Sequence, residues 1–100
     1  MSPTQDPSTS RAVAYRTRVV HCKRAPYDAY IGRGGRWGNP FVIGRDGDRA
    51  EVIAKYERWL LTQPELLAAL PQLRGRTLGC WCAPRPCHGD VLARLADATG

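Results

Sequence analysis

Three cysteines and one histidine fall within nine residues, Cys80-Trp81-Cys82-Ala83-Pro84-Arg85-Pro86-Cys87-His88. Thiolates and imidazole are ligands that suit tetrahedral zinc. If the chain around Cys80 is a strand, Cys80 and Cys82 project from one face, because side chains alternate along it. A loop with two prolines can then fold Cys87 and His88 back over that face. Zinc held by Cys80, Cys82, Cys87 and His88 is therefore the first expectation, although the spacing departs from the common pair-plus-distant-pair pattern. Cys22, beside His21, is a possible substitute ligand from outside the cluster. Two other readings stay open. Cys87 stands where a helix begins, and a helix N-terminus favours a thiolate; with His88 and Asp90 alongside, Cys87 would be a nucleophile and Asp90 a nucleophile or acid/base group. Alternatively, Cys80 and Cys82 are small apolar residues of a core strand, and Asp90 merely complements the helix dipole.

A second segment with chemical potential is Gly32-Arg33-Gly34-Gly35-Arg36-Trp37-Gly38-Asn39-Pro40. Its glycines do not fit a dinucleotide fingerprint, and it lacks the Gly-Lys-Ser/Thr of a P-loop. Glycines let backbone N–H groups come close to a ligand, and the guanidiniums of Arg33 and Arg36 match phosphate oxygens in a fork. Trp37 would stack on a base, and Asn39 would read a base edge or cap a turn. The plainer alternative is a glycine-rich turn with Trp37 and Phe41 folded into the core.

The elements that must position these segments are short. Thr17–Cys22 is β-branched and reads as a strand, Ala29–Gly32 as a second, Phe41–Ile43 as a brief extended piece and Thr77–Cys82 as a further strand. Asp48 and Glu51 form a capping box, and Val52, Tyr56, Trp59 and Leu60 give one apolar stripe over a helix running to about Thr62. Pro64 opens a short second helix that Pro71 stops. A last helix spans about Gly89–Ala98. The order predicts a single compact α/β domain over residues 13–100, with a small sheet of three to four short strands and two to three packed helices. Residues 1–12 read as a disordered leader, rich in Ser, Thr and Pro.

Composition narrows the class. The chain has 100 residues, 43% apolar or aromatic and 24% charged, with four cysteines and a net charge of +6. No apolar run approaches the roughly 18 residues of a membrane span, and no signal peptide is visible. A cytoplasmic protein follows, in which clustered cysteines point to metal or reactivity more than to disulfides. The positive charge is concentrated in residues 11–36, where seven Arg and Lys face Asp28 alone. Such a block marks a surface for phosphate or nucleic acid, or else a solvated face.

YIGRGGRWGNPF (30–41) and LRGRTLGCWCAPRPCHGDVL (73–92) together resemble a family of small phage and bacterial proteins known as domain of unknown function 4326. The likeness extends over about residues 18–96. It implies signature positions at Gly32, Arg33, Trp37, Gly38, Asn39, Pro40 and Phe41, and at Cys80, Trp81, Cys82, Pro84, Cys87, His88 and Asp90. It carries no activity, but it implies that the two motifs face each other across one pocket. The expected function is binding of a nucleotide or nucleic-acid phosphate through Arg33, Arg36, Trp37 and Asn39, with zinc on the Cys/His cluster. The alternatives are an enzyme acting on a nucleotide-like or glycosidic substrate through Cys87 or Asp90, and a phage or bacterial protein-interaction module.

Overall fold

A computed structural model of the chain describes residues 16–98; the expected leader over 1–12 lies outside the described residues. Three strands form the sheet: β1 (Arg18–His21), β2 (Ala29–Tyr30) and β3 (Thr77–Cys80). Their order is β1-β3-β2, and both outer strands run parallel to β3. Val19 pairs with Leu78, His21 with Cys80 and Tyr30 with Gly79. Two bonds beyond the strand ends prolong the ladder, from Cys22 N–H to the Cys80 carbonyl and from Ile31 N–H to the Gly79 carbonyl, each 2.9 Å.

Parallel neighbours require a crossover, and here it supplies the helices. The chain leaves β2 through the glycine-rich loop and enters α1 (Arg49–Leu60). The Asp48 carboxylate accepts from Glu51 N–H at 2.9 Å while Glu51 Oε1 accepts from Asp48 N–H at 2.8 Å, so the capping box closes in both directions. Helix α2 (Pro64–Ala69) follows, and Pro71 does not stop it cleanly. That proline occupies the first turn of a 3₁₀ segment, Leu70–Leu73, where no backbone N–H is needed. Residues 41–43 are not a strand. A turn forms instead, with Val42 N–H donating to Asp46 Oδ2 and positive φ at Gly44 (97°) and Gly47 (133°).

Helix α3 (His88–Ala98) lies on the same face of the sheet as α1. Leu78 and Cys80 of β3 point into this layer at 0% and 1% exposure. They join Ile31, Tyr56, Leu60, Leu92 and Ala96 in the core. The opposite face is crossed by the β1–β2 connection, which lays the Tyr27 ring on Gly79; a Cβ there would stand 2.6 Å from Tyr27 Cγ. Near the chain ends, Asp97 accepts from Thr17 N–H at 3.0 Å and from its hydroxyl at 2.7 Å, tying α3 to the start of β1.

One core hydrogen bond fixes the glycine-rich loop. Tyr56 Oη, on a fully buried residue of α1, donates to the Trp37 carbonyl at 2.8 Å. Replacing Tyr56 by Phe removes that donor and keeps the ring, so unfolding in denaturant is expected to show a loss of about 1–3 kcal/mol. An unchanged unfolding midpoint would mean that the loop is held by packing alone.

Candidate functional site

All three parallel strands end at the same edge, where the segments following β2 and β3 both lie. A cleft of about 410 Å³ opens between them. Ligands of parallel α/β sheets bind at this carboxyl edge, where strands separate and helix N-termini point inwards. One wall is the glycine-rich loop, through Gly32, Arg33, Asn39 and Phe41; a second is the first half of α1, through Arg49, Val52 and Ile53. The third is the cysteine corner, through Cys80, Trp81, Cys82, Cys87 and His88, with Tyr30 and Ile43 at the margin. The two sequence motifs thus contribute to one cavity.

The residues singled out from sequence take different places. Arg33 borders the cleft and braces the loop, donating to the Asn39 carbonyl at 2.8 Å and the Phe41 carbonyl at 3.1 Å. A guanidinium has five N–H donors, so further ones remain for a ligand. Asn39 is buried and holds backbone on both sides: its amide donates to the Val52 carbonyl at 3.3 Å, and its Oδ1 accepts from Phe41 N–H at 2.9 Å. Trp37 is 7% exposed and belongs to the core, so it offers no surface for stacking. Arg36 covers the Trp37 ring from outside, 5.4 Å from its centre, and does not border the cleft.

Trp81, unlike Trp37, is exposed and borders the cleft. It is 54% exposed, with its indole N–H donating to Tyr30 Oη at 3.0 Å, His21 edge-on at 5.7 Å and Lys23 Nζ 5.5 Å from the ring. Alternation along the strand carries the signal for this: if Cys80 points inwards, its neighbour points out. Arg49 has no comparable signal in the sequence. It reaches the cleft only because its guanidinium donates to the Pro86 carbonyl at 3.0 Å, 37 positions away.

In the cysteine corner, Cys80 Sγ and Cys87 Sγ touch at 3.3 Å, and Gly89 N–H donates to Cys87 Sγ at 3.3 Å. The contact with the Cys87 sulfur draws the Cys80 pKa down against the effect of burial. The same contact and burial push Cys87 up. Asp90 is exposed and caps the start of α3, accepting from Cys87 N–H at 3.1 Å. The buried His88 donates from Nε2 to the Ile31 carbonyl at 2.6 Å and lies edge-on to Tyr56. Cys80 and Cys87 thus come together, but no group of three or more His, Cys, Asp or Glu side chains among the described residues is arranged to hold a metal. Nor is any helix there long and apolar enough to cross a membrane.

A family model described as a domain of unknown function, DUF4326, matches residues 15–98. The chain is 36% identical over 85 residues to the uncharacterised 12.4 kDa protein in the nrdA-td intergenic region of Enterobacteria phage T4, covering 80% of this chain and 77% of that one. It is 35% identical over 86 residues to an uncharacterised protein of Acanthamoeba polyphaga mimivirus, covering 68% of this chain and 65% of the relative. No solved structure matches.

His88 makes the site sensitive to acid. Burial holds its imidazole below the ordinary pKa and the Arg33 charge adds to this, while the Ile31 carbonyl and Asp90 oppose it. The unfolded chain takes up the proton near pH 6.5, before the folded one does. Stability is therefore full above that pH and is lost as pH falls through the lowered folded value. Denaturation at about pH 7.5 and 5.5 is expected to show a larger loss for the native chain than for His88→Gln, which keeps an N–H donor but does not titrate. Equal losses in the two proteins would remove His88 as the cause.

Proposed function

The chain belongs to the DUF4326 family, and from that starting point we propose that its cleft binds a nucleotide, free or within a nucleic acid, by stacking the base and pairing the phosphate. The observation that carries this reading is the joining of aromatic and guanidinium groups around one concave site. Tyr30, Phe41 and Trp81 border it together with Arg33 and Arg49. Ligand pockets of about 300–1,000 Å³ hold small molecules, and the cleft falls within that range. A base has two flat faces, and the exposed Trp81 ring offers a flat partner already fixed by Tyr30 and flanked by Lys23. A phosphate needs charged donors in a fork, and Arg33 and Arg49 supply them, each anchored by a backbone carbonyl. Anchored side chains lose less freedom on binding than mobile ones.

The carboxyl edge of the sheet adds a general preference for phosphate, since Cys87 and His88 at the start of α3 line the cleft. The N–H of Cys87 is already occupied by Asp90, so charge attraction in this reading comes mainly from the arginines.

Quenching of tryptophan fluorescence by mononucleotides and by short single-stranded oligonucleotides tests the proposal, since Trp81 is the exposed indole at the cleft. Saturable binding is expected. Trp81→Ala should weaken it roughly 5- to 150-fold, the effect of removing one base stack. Arg33→Ala should weaken binding and flatten its salt dependence. If neither ligand class binds the folded protein at millimolar concentration, the reading fails.

A further inference from the structure

Two sulfur atoms meet at the floor of the cleft, where nothing in nucleotide binding requires them. Cys80 ends β3 and Cys87 directly precedes α3, and their Sγ atoms are 3.3 Å apart. Only 1% of Cys80 and 3% of Cys87 is exposed, yet both residues line the cavity. The contact joins positions separated by seven in sequence. The two ends are held independently, Cys80 by the ladder to β1 and Cys87 by the Asp90 cap and by Gly89 N–H on its sulfur. Two thiols merely filling a core have no need of such separate anchoring.

We propose that Cys80 and Cys87 are a redox-active dithiol, converted to an intramolecular disulfide by a small hydroperoxide that enters through the cleft. The inference does not depend on what else the cleft binds. In the first step the Cys80 sulfur, as thiolate, attacks one peroxide oxygen. A sulfur–oxygen bond forms, the oxygen–oxygen bond breaks, and hydroxide leaves to become water on taking a proton. Cys80 is then a sulfenic acid. In the second step the Cys87 sulfur attacks the Cys80 sulfur; a sulfur–sulfur bond forms, the sulfur–oxygen bond breaks, and the departing hydroxide takes the Cys87 proton as a second water. Two thiols and one hydrogen peroxide give one disulfide and two waters.

Cys80, fixed by the strand ladder at the floor of the cleft, is placed to attack first. Cys87 suits the second step because its sulfur is already in contact. Closing the pair requires the sulfurs to approach from 3.3 Å to about 2.05 Å. The enclosure of Cys80 selects the oxidant. A two-oxygen molecule passes where a glutathione-type disulfide cannot align its sulfur–sulfur axis with the attacking atom.

The full chain, reduced and freed of reductant, is treated with stoichiometric hydrogen peroxide and weighed by mass spectrometry. A loss of about 2 Da, reversed by a dithiol reductant, is expected for the native chain and for a Cys22→Ser/Cys82→Ser variant, which leaves the buried pair intact. Tandem mass spectrometry of the 77–94 peptide should assign the bond to Cys80 and Cys87. In Cys87→Ser the loss should vanish, and a 1,3-dicarbonyl trap should label Cys80 as the sulfenic acid. Glutathione disulfide should leave the folded chain unchanged over the same period. The proposal is overturned if the native chain gains only oxygen, stays unmodified, or closes a bond through Cys22 or Cys82, and its oxidant class is overturned if the bulky disulfide reacts as fast as peroxide. The native chain and the double variant decide between these outcomes by themselves, even where Cys87→Ser fails to fold.

Discussion

The Ile31 carbonyl lies where the sheet ladder has run out, inside the core, and a buried acceptor left without a donor costs about 1–3 kcal/mol. His88 supplies the donor at 2.6 Å. A carbonyl only accepts, so Nε2 must carry the hydrogen, and burial favours the neutral ring. Much else follows from this one bond. It joins the residue that begins α3 to the residue that begins the glycine-rich loop, and so fixes the cysteine corner against the opposite wall of the cleft. The close approach then demands glycine at position 89, where a Cβ would stand 2.8 Å from Ile31 Cδ1 and 3.0 Å from Val19 Cγ1. Tyr56 packs edge-on against the same imidazole while its hydroxyl holds the Trp37 carbonyl. Helix, loop and strand ends are thereby set by neighbouring polar contacts in one small volume.

Among the described residues, helices cover one face of the sheet and the β1–β2 connection the other, so the domain has little core to spare. Polar side chains do some of the work that a larger core would do. Asp97 clamps Thr17, Asp28 Oδ2 accepts from Thr77 N–H at 2.9 Å, and Asp46 closes the turn at Val42. Asp97 and Asp28 are spent on backbone or hydroxyl and Asp46 on backbone and the neighbouring Arg45 guanidinium, while most arginines remain at the surface. The basic character of the cleft therefore comes from where Arg33 and Arg49 are braced, more than from the total of +6.

Elements with strong local rules were legible in the sequence. The capping box placed the start of α1, Pro64 placed α2, and β-branched residues placed β1. That both motifs belong to one site followed from their joint resemblance to the family, and the structure indeed puts them on one cleft. What local rules could not supply were decisions made by distant residues. Trp37 is buried because its loop is drawn in by Tyr56, 19 positions away. Arg49 serves the cleft because Pro86 offers it a carbonyl. The tetrahedral cluster was reasonable from residue types, but among the described residues the corner brings together the sulfurs of Cys80 and Cys87 without a third ligand group beside them. Phe41–Ile43 had extended character but no neighbouring strand to pair with, and Asp46 turned it instead.

The exchange of roles between the two tryptophans shows how a short strand end builds a site. Beyond Cys80 the ladder gives out, but the alternation of side chains persists for a residue. Cys80 turns inwards to the layer of helices and forms the floor of the cleft, while Trp81 turns outwards and becomes its rim. Adjacent residues thus present a soft, enclosed sulfur and a flat, exposed aromatic ring to one cavity. A helix could not do this, because its neighbouring side chains diverge by about 100° and only residues three or four apart share a face. A one-residue shift in β3 register would exchange the two, putting indole into the core and thiol into solvent. The pairing of Leu78 with Val19 and of Gly79 with Tyr30 holds that register, so the character of the cleft is decided in the sheet.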